Sequence, residues 1–60
     1  MRYYCGATVF FSPEPEGSLF AQSVDGSLQI WAAEDYENPM VTEVTEAEAE
    51  EIKTRPGWAG

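Results

Sequence analysis

The chain has 60 residues and a formal charge of −8, from eleven acidic and three basic side chains, with no histidine and one cysteine. So short a chain buries only about 60% of the surface that its unfolded form exposes, which leaves little room for the concave site of an enzyme. The charge disfavours direct binding to nucleic acid and to anionic membranes, because both are bound through Lys and Arg, and favours a basic protein surface as partner.

The first predicted element is a strand over residues 2–11, RYYCGATVFF, which is rich in aromatic and β-branched residues and lacks helical spacing. Alternation along this strand predicts a core face made of Tyr3, Cys5, Ala7, Val9 and Phe11. A single cysteine cannot form an internal disulfide, which is typical of a reducing cytoplasm. We expect Cys5 to be a buried, inert thiol, since only Arg2 supplies positive charge nearby.

A loop and a hairpin are predicted next. Residues 12–17, SPEPEG, read as a loop because its prolines remove backbone donors, and we expect Glu14 and Glu16 to be solvated. Asp25-Gly26 is a strong β-hairpin signal between strands over residues 18–24 and 27–33.

The length of the hairpin turn leaves two registers open. A two-residue turn pairs Ala21 with Ile30 and Leu19 with Ala32, whereas a three-residue turn pairs Phe20 with Ile30 and Gln22 with Leu28. A slip of one residue exchanges the two faces of the first strand. In both registers Leu28 and Ile30 belong to the core and Trp31 points the other way.

Residues 34–44 are predicted to hold a polar connection and an edge strand. EDYENP, residues 34–39, closes on Asn38-Pro39, which is a turn signal. Residues 40–44 alternate and predict a short fourth strand, in which Glu43 discourages pairing with other chains.

One helix is predicted, over residues 45–55. Thr45 and Glu48 form a capping box, and Glu51 and Arg55 have the favourable i,i+4 order of an ion pair. The apolar stripe of this helix is thin, mainly Ala49 and Ile52, with help from Val44 and Ala47. Pro56-Gly57 ends the helix, and Trp58 is placed to fold back over the sheet or the helix end.

Motifs for catalysis, cofactors and metals are missing from the sequence. Without histidine the chain lacks the common general base and the common zinc ligand, and one cysteine cannot build a zinc or iron–sulfur site. The five glycines are scattered, so no phosphate-binding loop is predicted, and the acids do not have the spacing of a calcium loop. We therefore predict no catalytic residue, no cofactor and no enzyme, although a sizeable pocket lined with converging carboxylates would revive the option of a small enzyme.

The acids are concentrated in residues 34–51, which contain eight of the eleven carboxylates and no Lys or Arg. A solvated helix whose carboxylates serve capping and the helix dipole accounts for Glu46 and Glu48. It accounts less well for Glu50, because Glu46 and Glu50 form a like-charge i,i+4 pair. The alternative is that these carboxylates imitate phosphates, since side chains at i and i+4 lie about 6 Å apart, comparable with phosphates along one strand. Both interpretations stay open.

The predicted partner-binding residues are Glu34, Asp35, Tyr36, Glu37, Glu43, Glu46, Glu50 and Glu51. Tyr36 lies between acids in EDYEN, outside any alternating or helical pattern of apolar residues that would place it in the core. An aromatic ring rimmed by charge is typical of an interface anchor. Trp31 belongs either to a second packed face or to a contact surface.

The combination of about sixty residues, strong acidity, a β-hairpin, an acidic helix and no catalytic set resembles small phage-borne inhibitors, in particular anti-CRISPR proteins and other DNA mimics. The resemblance implies a stoichiometric inhibitor. Such a protein occupies the nucleic-acid-binding or PAM-reading surface of a host effector in the host cytoplasm.

The sequence thus predicts one α+β domain over residues 1–60, with a three- or four-stranded antiparallel sheet and one C-terminal helix. Its predicted function is to bind a basic nucleic-acid-binding protein and block DNA or RNA binding. The alternative is a structural or assembly module that self-associates through an exposed sheet edge or the Trp31 face. We expect a cytoplasmic chain without signal peptide or membrane span, and a monomer is favoured.

Overall fold

Five strands form one antiparallel sheet in the computed structural model, which describes residues 1–13 and 16–59. The elements are β1 (Arg2–Ala7), β2 (Ser18–Ser23), β3 (Leu28–Ala33), β4 (Thr42–Val44), α1 (Glu46–Lys53) and β5 (Trp58–Ala59). The strand order is β4-β1-β3-β2-β5, so the two edge strands are also the shortest. The predicted α+β class is confirmed, and β5 adds a strand to the expected three or four. The prediction that Glu14 is solvated lies outside the described residues.

β1 is shorter than the predicted strand over residues 2–11. It ends at Ala7, and Thr8–Phe10 forms a 3₁₀ turn. The turn interrupts the two-residue alternation of side chains, so Val9 is 81% exposed and Phe11 packs on Trp31, on the side of the sheet away from α1. The predicted core face is therefore right for Tyr3 and Cys5, which pack against the core, and wrong for Val9 and Phe11.

The pairing of β2 with β3 uses the two predicted registers in turn. Near the hairpin Ala21 pairs with Ile30 and Gln22 with Gln29, whereas beyond a bulge Leu19 pairs with Trp31 and Ser18 with Ala32. A bulge inserts one extra residue into one strand, so the face on which later side chains lie changes there. Phe20, inside the bulge, turns its ring to Tyr3 at 5.0 Å between centroids, on the α1 side.

The core lies between the sheet and α1. Ile30 and Ala49 are both 0% exposed and form a cluster with Ala21. Alanine at position 49 lets the helix approach the sheet closely, because its side chain ends at Cβ. Leu28, predicted as core, lies at the end of the sheet and is 40% exposed.

α1 begins with the predicted capping box. Thr45 Oγ1 accepts a hydrogen bond from the Glu48 N–H at 3.1 Å, and Glu48 Oε1 accepts one from the Thr45 N–H at 2.9 Å. The chain then returns to the sheet, where Trp58 pairs with Ser23 and packs against the core. α1 has eight residues, and no helix in the described part of the chain is long and apolar enough to cross a membrane.

The opposite side of the sheet carries a second packed layer, made of aromatic rings. Tyr4 is buried and packs on Tyr36 with 5.4 Å between ring centroids. Phe11 stacks on Tyr36 at 6.1 Å and contacts Trp31 at the same separation. Trp31 therefore points away from Ile30, as predicted, and belongs to a packed face.

The β2–β3 turn is organised around the carboxylate of Asp25. The Ser27 N–H and the hydroxyls of Ser23 and Ser27 all donate to Asp25 Oδ1, at 3.0, 2.7 and 2.7 Å. Gly26 follows with φ +77°, a conformation that side chains disfavour. These hydrogen bonds, first the one from the Ser27 backbone, lower the pKa of Asp25 from 3.8 to about 2.

Acidification should therefore remove a stabilising contribution of Asp25. Because its folded pKa is depressed, the contribution is complete above the ordinary value of 3.8 and is lost as pH falls towards about 2. We expect the difference in free energy of unfolding between the native protein and Asp25→Asn to shrink over this pH interval, as measured by urea unfolding. Asp35→Asn is the control, since no hydrogen bond to the Asp35 carboxylate is found within residues 1–13 and 16–59. A difference that stays constant with pH contradicts the prediction.

Candidate interaction surface

The topology gathers carboxylates from three separate chain segments at one end of the sheet. Arg2 at the start of β1 lies opposite Ala33 at the end of β3, and Tyr3 lies opposite Val44 at the end of β4. β3 and β4 flank β1, and adjacent strands are about 4.8 Å apart, so the residues that follow β3 and β4 leave the same end of the sheet about 10 Å apart. Ser18 opposite Ala32 brings the start of β2 to the same end. We call this the acidic end; its carboxylates are Glu16, Glu34, Asp35, Glu46 and Glu48.

The structure divides the predicted partner-binding set. Glu34, Asp35 and Glu46 belong to the acidic end, whereas Glu37 lies in the loop after Tyr36 and Glu43 lies on β4. Glu50 and Glu51 are on the second half of α1.

The three basic side chains form ion pairs with acids of the other group, although Arg2 itself lies at the acidic end and lines a groove there with Glu34 and Asp35. Arg2 Nε lies 3.9 Å from Glu43 Oε2, Lys53 Nζ lies 3.4 Å from Glu50 Oε2, and Arg55 Nη2 lies 2.9 Å from Glu51 Oε1. Such exposed pairs contribute only about 0–1 kcal/mol each to stability. They do weaken the local negative field, so residues 34–51 do not present one uninterrupted acidic face. Within residues 1–13 and 16–59, no carboxylate of the acidic end is in an ion pair.

The acidic end is concave. A cleft of about 490 Å³ opens there, lined by Met1, Pro13, Glu16, Ala33, Glu34, Asp35 and Tyr36. Pro13 and Ala33 are buried and form apolar walls, whereas Glu16, Glu34 and Asp35 are exposed. A shallower groove beside it is lined by Met1, Arg2, Glu34 and Asp35.

The loop that carries Glu16 is closed on Pro13. The Pro13 carbonyl accepts hydrogen bonds from the N–H groups of Glu16 and Gly17, both at 3.0 Å. A Cβ at position 17 would lie 2.9 Å from the Pro13 Cβ, closer than side chains tolerate, so glycine allows the loop to pack here. The sequence predicts a solvated Glu16 but not its place in the cleft, because that depends on a contact with residues 33–36.

Tyr36 is held within the fold by its ring and its hydroxyl. The ring packs on Tyr4 and Phe11, and the hydroxyl donates to the Phe10 carbonyl at 3.1 Å. The same hydroxyl accepts from the Asn38 side-chain amide at 3.0 Å and from the Ser12 N–H at 3.3 Å. The ring thus has a structural role that periodicity does not reveal, while its role as a partner anchor stays a prediction.

Glu16, Glu34 and Asp35 line the same cleft, and acid–base catalysis by two carboxylates needs both groups in one cleft. Such catalysis requires environments that hold one carboxyl protonated and the other ionised. All three side chains are exposed to water. Within the described ranges, no group of three His, Cys, Asp or Glu is placed to hold a metal ion.

Cys5 is not part of this surface. The expected burial is only partial: Cys5 is half-buried on β1 and packs against the core below α1, and Arg55, which is remote in sequence, is near enough to act on its thiol. Burial raises the pKa of its thiol, and the charge of Arg55 opposes that effect more weakly. A thiol that stays protonated is a poor nucleophile, as expected for a structural cysteine.

No protein-family model, curated protein or solved structure matches this chain. Its function is therefore inferred from the placement of its own residues. The strongest feature of that placement is the acidic end, where exposed charge and a preformed cleft occur together.

Proposed function

We propose that the protein binds a basic surface of a nucleic-acid-binding protein through its acidic end and keeps DNA or RNA off that surface. It would act as a non-catalytic inhibitor of the anti-CRISPR or DNA-mimic kind. One observation carries the proposal: five exposed carboxylates from three chain segments lie towards one end of the sheet, outside every ion pair of the described residues. The binding residues are then Glu34, Asp35 and Glu46 of the predicted set, joined by Glu16 and Glu48.

Electrostatics supports a basic partner in two ways. A cluster of like charges at one end of a body with net charge −8 steers oppositely charged surfaces into contact and disfavours other partners. A partner that normally binds phosphates has a surface rich in Lys and Arg. The carboxylates can form ion pairs with these side chains, as phosphates do.

The acidic end is also organised before it binds. Glu48 is fixed by the capping box, and its hydrogen bonds, first from the Thr45 backbone, lower the pKa of its carboxyl and so favour the ionised form. Glu34 and Asp35 directly follow β3, and the Glu16 N–H is bonded to Pro13. Charges held by a rigid scaffold lose less conformational entropy on binding than charges on a flexible tail.

The alternative of self-association finds less support in the geometry. Both sheet edges are short, three residues in β4 and two in β5, and short edge strands discourage pairing between chains. Phe11 covers part of Trp31, whose Nε1 donates to Gln29 Oε1 at 2.8 Å. Light scattering over a range of concentrations separates a monomeric inhibitor from an assembling module.

Reversing two charges of the acidic end should abolish partner capture. We expect the double variant Glu34→Lys/Asp35→Lys to capture at least about tenfold less of a basic protein from host lysate at low salt, because both attractive charges become repulsive. Captured protein should be lost at high salt and released by duplex DNA. In a mobility-shift assay the native protein should then displace DNA from the purified partner.

The matched control is Glu50→Lys/Glu51→Lys, which changes the net charge by the same amount on the far half of α1. We expect it to retain most of the capture, once circular dichroism shows that both variants are folded. Equal losses in the two variants would show that only net charge matters. Captured proteins that duplex DNA does not release would also count against the proposed function.

A further inference from the structure

The cleft at the acidic end combines two kinds of surface that one type of side chain needs. Its apolar lining comes from Pro13, Ala33 and the exposed Met1 side chain, and Tyr36 also lines it. Its carboxylates come from Glu16, Glu34 and Asp35. A ligand that fits must therefore present an apolar stem and a cationic head.

We propose that this cleft binds an arginine side chain of the basic partner, with the aliphatic stem against the apolar walls and the guanidinium at the carboxylates. The inference rests on the proposed function, since the arginine belongs to the protein that the acidic end is proposed to bind. It adds that the acidic end recognises arginine in particular, in this cleft, beyond the general attraction between opposite charges.

Arginine fits this lining better than lysine does. The guanidinium is planar, carries five N–H donors and can donate two parallel hydrogen bonds to one carboxylate. It is also more weakly hydrated than an ammonium group, so it loses less on entering a partly apolar cleft. Lysine concentrates its charge on one strongly hydrated nitrogen and cannot bridge several carboxylates in a fixed plane.

The size of the cleft agrees with such a ligand. At about 490 Å³ it falls within the range of about 300–1,000 Å³ that is typical of binding clefts. It is therefore large enough for a long side chain together with part of the backbone that carries it. The neighbouring groove, which shares Met1, Glu34 and Asp35, continues the same surface outwards along Arg2.

Three residues that line the cleft are held by contacts within the fold. Pro13 accepts two backbone hydrogen bonds and is packed against Gly17. Ala33 is buried in β3 and paired with Arg2, and Tyr36 is held by Phe10 and Asn38. A cleft that is already formed does not need to be ordered on binding, which favours a measurable affinity for a small probe.

A titration followed by NMR tests the inference without a partner protein. The ¹⁵N-labelled protein is titrated with N-acetylarginine amide, with the lysine equivalent, and with the citrulline equivalent, which has the shape of arginine but no charge. We expect saturable shifts confined to the backbone amides of residues 16 and 33–36 with arginine, a Kd about tenfold higher with lysine, and no saturation with citrulline. The variant Glu34→Gln/Asp35→Asn should raise the Kd for arginine at least about tenfold, whereas Glu50→Gln/Glu51→Gln should leave it unchanged.

The outcomes separate this inference from the proposed function. If arginine and lysine shift the amides beside all exposed carboxylates alike, or if Glu34→Gln/Asp35→Asn binds arginine as the native protein does, the cleft is not an arginine site. The proposed function then stands if Glu34→Lys/Asp35→Lys still abolishes capture. If arginine binds in the cleft while that variant captures as much protein as the native chain, the cleft is an arginine site, but it does not bind an arginine of the captured protein and the proposed function is wrong.

Discussion

Replacing Ile30 by Ala should lower the free energy of unfolding by about 2–5 kcal/mol, enough to unfold much of the protein. Ile30 is the only large side chain among residues 1–13 and 16–59 that is fully buried. Its partners in the core cluster, Ala21 and Ala49, are too small to fill the resulting cavity. A chain of this size has a total stability of only about 3–9 kcal/mol, so the loss of one side chain is a large part of it.

Urea and thermal unfolding followed by circular dichroism measure this effect. Ile30→Val keeps the protein folded and should cost about 0.5–1.5 kcal/mol, which preserves a measurable value if the alanine variant does not fold. Val9→Ala is the control, because Val9 is 81% exposed and its truncation should change stability by less than about 0.5 kcal/mol. An Ile30→Ala protein with the native unfolding midpoint would show that the core lies elsewhere.

Tyr36→Ala should be the next most destabilising change, by about 2–3 kcal/mol, somewhat less than the value typical of a fully buried aromatic ring. The ring is half-buried between Tyr4 and Phe11, and its hydroxyl bonds to three other residues. Removing it leaves the Phe10 carbonyl and the Asn38 amide without this partner. Tyr36→Phe isolates the hydroxyl and should cost about 1 kcal/mol.

This pair of variants also tests the prediction that Tyr36 is a partner anchor. Stability is measured by urea unfolding, and Met40→Ala is a control at a nearby loop position, where the side chain is 60% exposed. If the ring served a partner alone, Tyr36→Ala would unfold like the native protein and lose only partner capture. We expect a loss of stability instead, because the ring joins the segments around residues 10 and 38 across the sheet.

The two groups of carboxylates differ in how strongly they attract a basic partner. Glu43, Glu50 and Glu51 already have a cation nearby, so they offer a basic partner less attraction than the acidic end does. Fewer carboxylates are therefore available to a basic partner in the folded chain than the acidic stretch of the sequence suggests. Arg2 comes from the start of the chain, far from Glu43 in sequence, whereas Lys53 at the end of α1 and Arg55 just after it pair with acids three and four residues before them.

The sequence anticipated the parts of the fold that depend on local signals. The hairpin around Asp25-Gly26, the capping box of Thr45 and Glu48, and the Glu51–Arg55 pair all form as predicted. Each depends on residues within about four positions of one another, where turn chemistry and helix spacing are sufficient. The register of the hairpin does not follow from neighbouring residues alone. A bulge in β2 changes the pairing with β3 between Leu19 and Ala21, so each half of the strand has its own register.

The candidate site was only partly predictable. Glu34, Asp35 and Glu46 were identified by their charge and lie at the acidic end, whereas Glu16 joins them only because the loop after β1 packs against residues 33–36. The structural role of Tyr36 is not predictable from the sequence, because the aromatic layer formed with Tyr4 and Phe11 follows no periodic pattern along the chain.

The amino-acid sequence by itself determined the α+β class, the acidity, the helix with its cap and the lack of a catalytic motif, because these follow from composition and from neighbouring residues. The Glu51–Arg55 pair also follows from helix spacing, whereas only the tertiary structure decided which carboxylates lie together and that Arg2 pairs with Glu43. The physical reason is strand pairing. Antiparallel order brings the starts of β1 and β2 and the ends of β3 and β4 to one end of the sheet, so the charged residues next to these strand ends lie there too.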